Sequence, residues 1–174
     1  FKELIDQEID HVKNGRVGKM IIKMNSLQDK DMINKLYEAS NAGVKITIIV
    51  RGICCLIPGV EGMSKNIKVV SIIDRYLEHG RIYWFNNDGD EKLYLASADW
   101  MSRNLSRRIE VGFPIKHKAH RAQIMKLIKL QLRDNVKARR LNKTQSNPYK
   151  KSTAKKKVRA QYDYYHYLKG LVKS

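Results

Sequence analysis

The sequence predicts an α/β fold, a mixed β-sheet flanked by helices, on three observations. Apolar runs of strand length alternate with amphipathic runs of helix length in the first part of the chain, the pattern of parallel βαβ units. Farther on, two alternating apolar segments flank Asp88-Gly89, a strong turn dipeptide, which adds an antiparallel hairpin. Finally, 174 residues with 43% hydrophobic content suffice to bury the core of one domain without disulfides or a structural metal.

In order, "FKELIDQEIDHVKNG" places Leu4, Ile5, Ile9 and Val12 on one helical face and stops at Asn14-Gly15. "VGKMIIKM" (17–24) reads as a buried strand, "QDKDMINKLYEASNAG" (28–43) as a helix leaving through Gly43, and "VKITIIV" (44–50) as a second buried strand. The glycine-containing stretch 51–66 is a loop at the carboxyl end of that strand, where open α/β sheets bind ligands. "IKVVSII" (67–73) supplies another strand and "DRYLEH" a single helical turn. "RIYWFNN" and "KLYLASAD" form the hairpin, 108–116 a further strand, and "HRAQIMKLIKLQLRDN" a long amphipathic helix. No internal repeat is evident.

The charge is strongly one-sided: 35 Lys+Arg against 17 Asp+Glu leave +18. Such an excess repels itself unless an anionic partner relieves it, so the partner class is phosphate-rich: nucleic acid, polyphosphate, nucleotide or acidic lipid head groups. From Lys137 to Ser174 there are 12 Lys+Arg and one acid. The stretch 143–157, "KTQSNPYKKSTAKKK", reads as a mobile loop or linker, after which "VRAQYDYYHYLKGLV" regains the apolar residues of a short docked helix. The expected division is a domain over 1–142 and a basic tail over 143–174. Cys54 and Cys55 are adjacent and form neither an ordinary disulfide nor a zinc site, which points to the cytoplasm. No run of 18 apolar residues is present, so no transmembrane segment is expected. The start at Phe1, inside a helical pattern, suggests a domain of something longer.

Four polar clusters stand at strand ends: "KMNS" (23–26), "RGICC" (51–55), "EHGR" (78–81) and "SADWMSRNLSRR" (97–108). Brought to one edge of a sheet, they offer Arg51, His79, Arg81, Arg103, Arg107 and Arg108, with Asn25, Ser26, Ser97 and Asn104 as neutral hydrogen bonders. Several forked guanidiniums suit a phosphate chain, which presents many oxygens and repeated charge. The plain alternatives are solvated arginines, an Arg81 paired with Glu78 or Asp99, a histidine that only precedes a strand, and turn chemistry in "SADWMSRN". His117 and His120 lack a third ligand nearby, so no metal site is expected. Cys54 and Cys55 are expected to pack behind the Arg51 loop, and Trp84 and Trp100 to anchor core and loop.

"HGR", a hairpin and then "ASADWMSRN" resemble the His-x-Lys plus Gly-Ser-x-Asn pattern of phospholipase D-like phosphotransferases, with Arg81 in place of the lysine and Ala96 in place of the glycine. The longer set "NSL…LYEAS…VRGICCL…LEHGR", with "LYLASADWMSRNLSRRIEVGFPI" and "RAQYDYY", resembles the C-terminal catalytic domain of polyphosphate kinases. The resemblance implies a phospholipase D-like sandwich and an ATP:polyphosphate phosphotransferase that moves the terminal phosphate of ATP onto inorganic polyphosphate, and back. It implies that Arg51 and His79 meet ATP phosphates, with Arg81, Ser97, Arg103 and Asn104 as further phosphate-binding candidates and His79 as the catalytic one. It also implies that the histidine that becomes the phosphoprotein site, the Mg²⁺-associated arginines and a nucleotide-stacking tyrosine belong to a preceding domain. The partners expected are then ATP, polyphosphate, that domain and other copies of the chain, not nucleic acid. The fragment alone is expected to be inactive, and its place cytoplasmic, with peripheral membrane attachment left open. The competing functions are a phospholipase D-like phosphodiesterase or nuclease with His79 as nucleophile, and a basic nucleic-acid-binding module.

Overall fold

In the computed structural model, which describes residues 1–151 and 153–172, helix α1 (Lys2–Lys13) turns Ile5 and Ile9 into the core and ends at Asn14. The linker reading includes Ser152, and the tail's charge count includes Lys173 and ends at Ser174; these three lie outside the described residues. Strand β1 (Lys19–Met24), helix α2 (Lys30–Ala42) and strand β2 (Lys45–Val50) form the βαβ unit, with Lys19 opposite Lys45 and Met24 opposite Val50 in parallel register. The Asp29 side chain caps α2 by accepting from the Met32 N–H at 3.0 Å. Gly43 ends the helix at φ 106°, a left-handed conformation that costs glycine nothing. Strand β3 (Ile67–Ile72) continues the parallel order beside β2.

Strand β4 (Arg81–Phe85) runs antiparallel to β1 and turns through Asn87–Gly89 into β5 (Lys92–Ala96). A short helix α3 (Ser102–Ser106) leads to β6 (Gly112–Pro114), then come α4 (Lys118–Arg133), β7 (Ala138–Leu141) and α5 (Ala160–Val172). The sheet has seven strands in the order β6-β5-β4-β1-β2-β3-β7. Successive side chains of a strand face opposite ways, and here each way meets helices. Met20, Ile22, Met24, Ile46, Ile48 and Val50 pack with residues of α1 and α2, whereas Ile21, Ile49, Ile82 and Trp84 pack with Ile128 of α4. That double burial is why the strands read as continuous apolar runs.

Three expectations need correction. "DRYLEH" forms no helical turn, because Asp74 and Glu78 are drawn to distant partners described below and six residues cannot nucleate a helix against that pull. The strand expected over 108–116 is confined to Gly112–Pro114. Strand β7 was not anticipated; it borders β3 at the sheet edge, and Arg139 and Arg140 break the apolar pattern.

The fully buried Asp134 ties the terminal region to the sheet. Oδ1 accepts from the backbone N–H groups of Val136 (2.9 Å), Lys137 (2.7 Å) and Ala138 (3.0 Å), and Oδ2 from that of Ala160 (2.7 Å). One carboxylate thus joins the end of α4 to the starts of β7 and α5. Asp134→Ala leaves these donors without an acceptor, and we expect a loss of about 3 kcal/mol, read as a lower urea midpoint at constant slope.

Candidate active site

Because β1 and β2 run parallel while β4 opposes β1 and β5 opposes β4, the carboxyl ends of β1, β2 and β5 meet the amino end of β4 along one edge. Asn25, Arg51, His79, Arg81, Ser97 and Asp99 lie at these ends. The Arg51 loop comes close: the Gly52 N–H donates to the Asn25 carbonyl at 2.8 Å, and a Cβ at Gly52 would stand 3.1 Å from that oxygen.

Asp99, only 6% exposed, is the centre of the group. Its Oδ1 accepts from the Asn25 backbone N–H at 2.8 Å and from Arg81 Nε at 3.1 Å, while Oδ2 accepts from Arg81 Nη2 at 3.2 Å. Burial pushes the Asp99 carboxyl up, but the Arg81 guanidinium and the backbone N–H groups of Asn25 and Ser26 outweigh it and hold the group below the usual carboxylate range. Tyr83 steadies the loop by donating its buried hydroxyl to the Ala98 carbonyl at 2.7 Å. Burial, followed by the Asp99 charge, pushes that phenol well up, so it stays a donor.

From Asp99 the network extends both ways. Asn25 Oδ1 accepts from Arg51 Nε at 2.9 Å, leaving the two terminal nitrogens of Arg51 without a hydrogen-bond partner among the described residues. On the other side, Arg81 Nη1 lies 2.9 Å from His79 Nδ1 and donates to the His79 carbonyl at 2.9 Å. A guanidinium only donates, so Nδ1, the nearer of the two ring nitrogens to it, is assigned as the acceptor, which in the neutral ring puts the proton on Nε2. Nε2 is 3.4 Å from Arg81 Nη2, and His79 is exposed.

Lys23, at the head of the polar cluster 23–26 and next to last in β1, was not among the expected site residues. It is 4% exposed, with Nζ 3.4 Å from Glu78 Oε2 and 3.3 Å from the Gly80 carbonyl. Burial lowers its pKa; Glu78 opposes that shift, and the charges of Arg51 and Arg81 add to it, which places this ammonium within electrostatic reach of both arginines. The signal for it was a lone cation inside a strand buried on both faces.

Ser97 and Asn104 converge elsewhere, on Glu110: the Ser97 hydroxyl and Asn104 Nδ2 (2.5 Å) both donate to its carboxylate. Those two bonds hold Glu110 below its usual range. The Gly-Ser-x-Asn spacing, begun at Ala96, therefore ends on Asp99 rather than on Asn104. Arg103 is exposed on α3 and has no ion-pair partner among the described residues. Cys54 is partly buried, and burial pushes its thiol up, whereas Cys55 is exposed and does not pack behind the loop. Trp84 and Trp100 are buried, Trp100 with its ring centroid 5.4 Å from that of Tyr83. The His117 and His120 rings lie 4.7 Å apart, and among the described residues no three His, Cys, Asp or Glu side chains gather as a metal site.

A family model described as the polyphosphate kinase C-terminal domain 2 matches residues 1–161. The chain belongs to the polyphosphate kinase family. It is 47% identical over 170 residues to a polyphosphate kinase of Vibrio parahaemolyticus, covering 98% of this chain and 24% of that protein. To the polyphosphate kinase of Bacillus anthracis it is 54% identical over 143 residues, 82% of this chain and 20% of the relative. The crystal structure of polyphosphate kinase from Porphyromonas gingivalis superposes with a TM-score of 0.93 at 50% identity, over 97% of this chain and 26% of that one. The chain thus spans about a quarter of the length of the polyphosphate kinases it matches. Nuc from Salmonella typhimurium, a phospholipase D family member, shares the fold at a TM-score of 0.54 and 10% identity, over 78% of this chain and 88% of that one. The mixed sheet with flanking helices is thus phospholipase D-like. Among the described residues no helix is long and apolar enough to cross a membrane.

Proposed function

We propose that the chain supplies one half of the cationic phosphate-binding active site of a polyphosphate kinase, which transfers the terminal phosphate of ATP to inorganic polyphosphate and catalyses the reverse. The observation that carries this reading is the unbroken hydrogen-bonded series Arg51–Asn25–Asp99–Arg81–His79 along the strand-end edge. It fixes two groups that can meet phosphate oxygens, the free end of Arg51 and the Nε2 side of His79. Arg81 directs Nε and Nη2 to Asp99 and Nη1 to His79 Nδ1, with Nη2 also 3.4 Å from His79 Nε2, so it serves chiefly to orient the histidine. Ser97 and Asn104, turned to Glu110, and Arg103 on α3 remain as outer candidates along the path of a polyphosphate chain.

In this reading the positive charge of Arg51 stabilises the oxygens of the transferring group, which gain charge toward the leaving nucleotide in the transition state. His79 Nε2–H donates to a phosphate oxygen and can pass its proton to the leaving phosphate. The histidine that becomes phosphorylated belongs to the preceding domain. Asp99, with its oxygens taken by Arg81 and Asn25, is unfit to hold Mg²⁺, and no metal-holding cluster stands among the described residues. The resemblance to polyphosphate kinases puts the ion with the nucleotide phosphates and the preceding domain. The reading carries with it a cytoplasmic, oligomeric enzyme whose isolated C-terminal domain does not turn over.

Polyphosphate synthesis from ATP by the longer protein tests the assignment of Arg51. Arg51→Ala is expected to lower kcat/KM by roughly 10²-fold, the cost of about 3 kcal/mol of charge-assisted contact. The chain alone should show no turnover. Turnover by the chain alone, or normal kcat/KM for Arg51→Ala, contradicts the reading.

A further inference from the structure

The segment 73–80 between β3 and β4 carries His79, yet it has little packing of its own. Ile73 (70%), Tyr76 (59%) and Leu77 (72%) point largely to solvent, and the segment contains neither helix nor strand. An open pocket of about 240 Å³, lined by Tyr76, Glu78 and Gly80 of the segment together with Lys23, Leu127 and Gln161, borders it. A stretch with so few buried apolar contacts opens easily unless polar contacts hold it.

Those contacts come from the beginning of α5, far away in sequence. Gln161 Oε1 accepts from the Tyr76 N–H at 2.9 Å, and its Nε2 donates to the Tyr76 carbonyl at 2.7 Å, a two-point grip like that of a neighbouring strand. The same Nε2 lies 3.1 Å from Glu78 Oε1, while Glu78 Oε2 is held by Gln131 and by Lys23, which also reaches Gly80. Arg159 anchors the start of the segment through Asp74, whose side chain is 2% exposed, at 2.8 and 2.6 Å. Helix α5 is itself fixed by Asp134 at Ala160. Both neighbours of His79 are thus braced, and Gln161 is the side chain that grips the free-standing middle.

We propose that Gln161 is a positioning residue that holds the 73–80 segment, and through it His79, in the place where it meets phosphate. The proposal rests on the phosphate-site reading above and assigns the "RAQY" start of the terminal helix to the active site. A displacement of about 1 Å at a reacting group costs up to 10²-fold in rate, so loss of this grip shows in turnover before it shows in ATP affinity.

The experiment uses the full-length enzyme carrying Gln161→Ala, with Gln161→Glu as a second variant. Gln161→Glu keeps the acceptor for the Tyr76 N–H but loses both donors and sets a carboxylate against Glu78. Hydrogen exchange of the 73–80 peptide should quicken by about tenfold in both. In both, kcat should fall ~10- to 100-fold while KM for ATP stays within about two-fold. In a His79→Ala background, Gln161→Ala should cost nothing further, since the two act on one step. Unchanged exchange over 73–80 overturns the grip; an equal loss of turnover with and without His79 overturns its role in positioning. If His79→Ala is fully active, the phosphate-site reading fails and the role in positioning falls with it, while the exchange rates still decide whether Gln161 holds the segment.

Discussion

The longer protein carrying His79→Ala is expected to stay folded and to lose polyphosphate synthesis by about 10²- to 10⁴-fold, the range of a missing general acid or base. The two halves of this expectation have separate grounds. Outside its own segment and among the described residues, the exposed ring is engaged by Arg81 alone, so its removal strips little from the core and should change stability by no more than about 0.5 kcal/mol. Removal does delete the Nε2–H donor and its exchangeable proton; Arg81, whose Nη1 loses its His79 Nδ1 partner, stays held by Asp99 and the His79 carbonyl and cannot give up a proton near neutral pH. His79→Gln, which restores a donor at similar reach but cannot exchange a proton near neutral pH, should bind ATP normally and still not recover turnover. Radiolabelled transfer from ATP together with a thermal melt checks both halves.

The second large effect is expected at Asp99. Asp99→Ala leaves the Arg81 guanidinium and the Asn25 N–H facing a space with no acceptor, and breaking one side of such a buried pair costs about 3–5 kcal/mol. The variant should therefore unfold at markedly lower denaturant and, where folded, lack activity because neither Asn25 nor Arg81 is held. Asp99→Asn separates charge from shape: it keeps an oxygen for one donor and should lose less stability. The pH dependence has a fixed sign. Asp99 is held below its ordinary pKa of about 3.9, so its contribution is present above that value and is lost as pH falls through the lower folded value. Acid unfolding below about pH 4 should accordingly be less steep in Asp99→Asn than in the parent, measured as urea midpoint against pH.

Much of this architecture can be read in the sequence because its strands are buried on both faces and leave long apolar runs. That holds for β1, β2, β3 and β4, whereas β5, of which only Leu93 is buried, is legible through the Asp88-Gly89 turn and its alternation. It does not hold for β7, where two of four residues are arginines and only pairing with β3 makes a strand. "DRYLEH" has helix-like composition, yet Asp74 and Glu78 answer to Arg159 and Gln161, and no local pattern contains that information.

The site divides in the same way. Arg51, His79 and Arg81 stand out as polar residues at strand ends, where a sheet gathers them. Lys23 heads the polar cluster 23–26, but its role appears only when Glu78 and Gly80 are seen beside it. Asp99 reads as turn chemistry in "SADW", although it is the hinge of the network. Ser97 and Asn104 seemed from the sequence to belong with His79; the side chain that collects them, Glu110, lies beyond the loop and gives no sign of it in the motif.

The most direct measurement of the central claim is a crystal structure of the longer enzyme with a non-hydrolysable ATP analogue. The terminal nitrogens of Arg51 and Nε2 of His79 are expected within about 3.2 Å of phosphate oxygens, with the Asp99–Arg81 pair unchanged behind them. Phosphates bound elsewhere, with Arg51 and His79 both facing water, would contradict it.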